Sequence, residues 1–81
     1  MERKRKWAAW ARENAPEKLE QRIRRYRAKI ADLQEALEDI LADLAESESE
    51  GWIHGIECER NALERTRKEI AEAETMLAIY L

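Results

Sequence analysis

The chain has little of what compact mixed folds use: one cysteine, one proline, two glycines and no phenylalanine, with aromatics at 6%. Few turn residues and few β-formers argue against a sandwich or barrel, in which turns recur every few residues. A single Cys58 excludes an internal disulfide and agrees with a reducing compartment. No apolar stretch approaches the roughly 20 residues that cross a bilayer. The run Trp7 to Ala11 follows a basic start, as in a signal peptide, but Arg12 and Glu13 end it below the roughly 7 residues of a signal core. The expectation is a soluble, non-secreted, cytoplasmic protein without a membrane partner.

What the chain does have is charge, at 41% of 81 residues, and a heptad stripe. Leu19, Ile23, Tyr26, Ile30, Leu33, Leu37, Ile40 and Leu44 follow one another in alternating steps of four and three. Such spacing keeps large apolar side chains on one narrow seam, the geometry of knobs-into-holes packing between helices. The second half repeats it with Ile56, Leu63, Ile70 and Leu77, interleaved with Trp52, Thr66, Ala73 and Tyr80. Glu59 is the one charged residue on that seam, and a charge there can set register or partner choice.

Leu44 and Ile56 are twelve residues apart, which is not a whole number of heptads, so one continuous helix would lose register. The slip coincides with Ser47-Glu48-Ser49-Glu50-Gly51, where Ser47 and Glu50 match a capping box and Gly51 can instead end the first helix. The predicted fold is all-α: one domain over 1–81, an antiparallel two-helix coiled-coil hairpin with a basic, Trp-containing arm. Its parts are the arm at 1–14, a first helix at 16–46 starting on Pro16, a turn at 47–51 and a second helix at 52–80. Layer partners in such a hairpin share a constant sum of residue numbers. A sum of 96 pairs Leu44 with Trp52, Leu33 with Leu63, Tyr26 with Ile70 and Leu19 with Leu77, centring the turn on Glu48. A competing sum of 103 centres it on Gly51 and Trp52. Leu41, Ile53, Ala62 and Met76 fall beside the seam, so they are the candidate interface of a homodimer closing into a four-helix bundle.

Charge is segregated along the chain. Residues 1–29 carry eleven Lys or Arg against four acids, residues 30–59 carry ten acids and no Lys or Arg, and residues 60–81 carry four of each. The hairpin therefore has a basic open end and an acidic turn end. The acidic candidates for binding a partner are Asp32, Glu35, Asp39, Asp43, Glu46, Glu48 and Glu50. The basic and aromatic candidates are Arg3, Lys4, Arg5, Lys6, Trp7 and Trp10. Cations interleaved with aromatics can neutralise phosphates and stack on bases, although Trp7 and Trp10 can equally fold back to cap the bundle.

His54 and Cys58 are one helical turn apart and amount to half of a tetrahedral zinc site, which makes them weak metal candidates only. A two-helix rod offers no cleft for a nucleophile, base and oxyanion pocket, and no Gly-rich phosphate loop is present. The expected function is thus non-catalytic, with no cofactor and no small-molecule substrate: a helical hairpin that binds another protein and itself. In class, small acidic helical chains of this kind resemble phage-encoded inhibitors, a resemblance that implies an acidic surface mimicking nucleic acid. The alternative is an RNA- or DNA-binding regulatory dimer using the basic open end. In architecture this is similar to the small plasmid-control RNA-binding hairpins.

Overall fold

A computed structural model describes all residues, 1–81, as three helices: α1 (Glu2–Asn14), α2 (Pro16–Glu50) and α3 (Ile53–Tyr80). α1 and α2 are separated by Ala15 alone, whose backbone (φ −148°, ψ 59°) leaves the helical region, which the following proline ring disfavours. Pro16 then opens α2 at the position where its missing N–H costs nothing. α2 and α3 run antiparallel in a hairpin 56 Å long, and α1 folds back over its open end.

The turn is shorter and later than the interval 47–51. α2 continues through Ser47 to Glu50, and Gly51 ends it in the left-handed conformation (φ 69°, ψ 23°). The Gly51 N–H donates to the Glu48 carbonyl at 3.2 Å and the Trp52 N–H to the Ser47 carbonyl at 3.0 Å. This is the Schellman arrangement, which satisfies carbonyls that the helix end would otherwise leave open. The capping-box residues Ser47 and Glu50 therefore sit in a helix C-terminus rather than starting one. With the turn at Gly51 and Trp52, the pairing sum moves from 96 to 103. The Tyr26 and Tyr80 rings, stacked with centroids 5.7 Å apart, exclude the sum of 96 and fit that of 103, which sets Tyr80 level with Ile23, one turn from Tyr26. In the 96 register Tyr26 would face Ile70, ten residues and about 15 Å of helix away from Tyr80.

The seam side chains are the ones the pairing covers, but it covers them incompletely. Ile23, Ile30, Leu33, Leu37, Ile40 and Leu44 on α2, and Ile56, Glu59, Leu63, Thr66, Ile70 and Leu77 on α3, are all half-buried. Full burial is concentrated at the open end, where Ala8 and Ala11 of α1 meet Leu19, Ile79 and Tyr80. The small alanines let the α1 backbone approach closely. Trp7 stands edge-on to Tyr80 at 6.0 Å, and Arg22 lies over Trp7 at 4.0 Å while donating to the Tyr80 hydroxyl at 3.3 Å.

Candidate macromolecular interface

On α2 the acidic candidates align. Asp32, Glu35, Asp39, Asp43, Glu46 and Glu50 follow one another at steps of three or four residues, so they share one side of the helix, and all six are exposed. Because α2 does not break before Glu50, the row is continuous over about 27 Å. That spacing is one charge per roughly 5 Å of axis, against about 3.4 Å along one strand of B-DNA. Glu48 lies off the row, towards the opposite side of the hairpin. No cation of the chain neutralises the row: the single ion pair within 4 Å is Arg24 with Glu20, a surface pair at 3.8 Å.

The row is locally unfavourable. Like charges three or four residues apart each destabilise a helix by about 0.2–0.5 kcal/mol. Glu46, Glu48 and Glu50 also crowd the negative end of the α2 dipole, where the last turn carries no basic residue.

At the tip, Trp52 and Ile53 are exposed beside these carboxylates, at 57% and 71%. The indole lies down on α3 because residue 55 is glycine. A Cβ there would come within 2.4 Å of Trp52 Cε3 and 2.8 Å of the buried Ser47 Oγ. The His54 ring tilts against the indole at 6.1 Å. A fixed, half-open tryptophan within an acidic rim is the kind of residue that anchors protein interfaces.

The basic end is differently constituted. Arg3, Lys4, Arg5 and Lys6 are exposed on α1, with the Lys4 ammonium 3.6 Å from the Met76 sulfur. Trp7 is engaged with Tyr80 and Arg22, and so is committed to holding the arm, whereas Trp10 remains 53% exposed. The structure thus separates the two tryptophans. One packs and one is free to stack.

No protein-family model, characterised protein or solved structure matches the chain. Its chemistry is therefore read from its own residues. His54 and Cys58 approach to 3.6 Å between Nε2 and Sγ, both exposed, and no third His, Cys, Asp or Glu joins them in a ligating group. One surface hollow between α1 and α3 is lined by Met1, Lys68, Ala71, Glu72, Thr75 and Met76, and a second by Met1, Arg5, Arg12, Thr75, Ala78 and Ile79. No helix is long and apolar enough to cross a membrane.

The four residues beside the seam divide. Leu41 and Ile53 are exposed, while Ala62 and Met76 are half-buried on the other flank, with Met76 packed against the cluster that holds α1. Heptad reasoning did not single out Arg22, Gly55 or the stripe of Ala8 and Ala11 on α1 with Ala15 just beyond its end. The stripe had a signal in its spacing of three and four; the other two depend on tertiary contacts.

Proposed function

We propose that this protein is a non-catalytic interaction module that binds a basic surface of another protein through its acidic turn end, competing there with nucleic acid. The observation that carries the reading is the unbroken row of six exposed carboxylates on α2, unpaired within the chain and set against both neighbour repulsion and the helix dipole. An arrangement that costs the helix stability and contributes nothing to its packing is the pattern of a binding surface. A phosphate-like line of charge suits a groove lined with Lys and Arg, and Trp52 supplies an apolar anchor at one end of it.

The test is capture on the immobilised chain from a lysate of its own host. The captured protein should be released by duplex DNA, and lost by at least about tenfold with Asp39→Asn, Asp43→Asn, Glu46→Gln and Glu50→Gln combined. A chain with Arg3, Lys4, Arg5 and Lys6 all changed to Gln should retain it. The opposite pattern, with nucleic acid retained by the chain and lost on neutralising those four cations, would replace this reading with nucleic-acid binding through the basic end. The exposed Trp10 beside the cations is what favours that second reading.

A further inference from the structure

The hairpin exposes more surface than a finished fold of its mass. Its accessible area is 6261 Å², whereas a folded monomer of its 9.6 kDa exposes about 5,100 Å². Its radius of gyration is 17.4 Å, against about 12 Å for a compact chain of this length. The surplus of about 1,200 Å² exceeds the roughly 800 Å² that each partner hides in a standard protein interface.

The surplus has a location. With seam positions written a and d, an antiparallel hairpin puts the e flanks of both helices on one face and the g flanks on the other. α1 occupies the g side at the open end, where Arg22 and Met76 meet it. The e face carries nothing from this chain. Three of the six exposed large hydrophobics, Leu41, Ile53 and Leu81, fall on its e positions. The half-buried a-position residues Ile30, Leu37, Leu63 and Ile70 border the same face.

We infer that the e face is covered by a second copy of this chain, lying antiparallel, so that two hairpins close into a four-helix bundle. The area argument sets the size of the partner surface, and charge argues for a copy and for its direction. On the face itself the signs are mixed, with Glu38, Glu48, Glu57 and Arg60 at the turn end and Arg24, Arg27, Glu20 and Glu74 towards the open end; the segregation is that of the whole rod, net +7 over residues 1–29 and net −10 over residues 30–59. A two-fold axis across the middle of the rod sets each acidic end beside the other's basic end, whereas parallel copies would bring like charges together at both ends. The carboxylate row lies on the far side of α2 and stays open, so this inference goes beyond the proposed function and does not depend on it.

Sedimentation equilibrium of the full chain should give about twice 9.6 kDa at micromolar concentration. Dimer affinity should fall as sodium chloride shortens the screening length from about 10 Å at 0.1 M to about 3 Å at 1 M. Leu41→Glu with Ile53→Glu alters exposed positions and should leave the helical content intact, yet weaken the dimer at least about tenfold. A spin label on Ile53→Cys, in a Cys58→Ser background, should report roughly 45 Å between copies, from the rise along two antiparallel rods. A chain that stays monomeric, a doubly substituted chain that dimerises like the parent, a dimer tightened by chloride, or labels within about 20 Å of each other would each overturn the inference.

Discussion

The two glycines work by opposite physics. Gly51 has no neighbour within 4 Å of where a Cβ would stand, so its requirement is the backbone alone, held at φ 69°. An L-residue in that conformation is strained by roughly 1–2 kcal/mol. Gly51→Ala should therefore lower unfolding free energy by about that amount, and Gly51→Asn by less, because asparagine tolerates the left-handed region. Urea denaturation at one fixed protein concentration measures both. An alanine variant as stable as the parent would mean that the turn re-forms at another residue. Gly55 has ordinary helical geometry but no room, since Trp52 and Ser47 fill the space beside it. Its role was illegible in the sequence, where a glycine in the first turn of a helix reads as a loosening element; the constraint comes from an indole that folds back three residues.

At the scale of elements, the seams were legible except at Trp52, which is exposed, and the turn was legible only as the second of two alternatives, Gly51 as the end of the first helix with a pairing sum of 103. Every residue of the α2 stripe from Leu19 to Leu44 is buried or half-buried, because steps of three and four admit only one way to lie against a neighbour. The turn was misplaced because Ser47 and Glu50 satisfy a helix-start pattern by type while lying in a helix end, and local hydrogen-bonding capacity does not carry direction. The register followed the turn, and Tyr26 packs with Tyr80 instead of Ile70. The fold-back of α1 was half legible, through Trp7 but not through Ala8 and Ala11. That docking is separable from the hairpin, as the α1 contacts lie at one end and the seam runs the length of the rod. Ala8 is 1% exposed, so Ala8→Glu would bury a charge and should release the arm. Amide exchange in residues 2–14 should then accelerate to near the free-chain rate, with the seam amides of α2 and α3 unchanged. Acceleration in all three helices would show that arm and hairpin unfold as one unit.

Over the whole molecule, charge acts with two signs that salt can separate. On α2 most charges one turn apart are alike: the carboxylates of the row follow one another at that spacing, and Arg22, Arg25 and Lys29 repeat the pattern with cations. These repulsions act over about 5–6 Å, inside the screening length at 0.1 M salt, whereas attraction between the ends of a 56 Å rod lies far outside it. The repulsions are opposed by the Glu20–Arg24 pair at 3.8 Å and by unlike neighbours one turn apart on α3, such as Arg60 with Glu64 and Glu64 with Lys68, exposed pairs that each contribute little. The melting temperature of the isolated hairpin, followed by circular dichroism at concentrations too low for association, should therefore rise with sodium chloride. Association is expected to move the other way, because the antiparallel copy sets unlike ends side by side. A hairpin that melts earlier in salt would mean that attraction between unlike charges outweighs the rows of like charge. The carboxylate row would then be a stabilising feature of the fold rather than a surface maintained at its expense, and the argument for binding a basic partner would lose its footing.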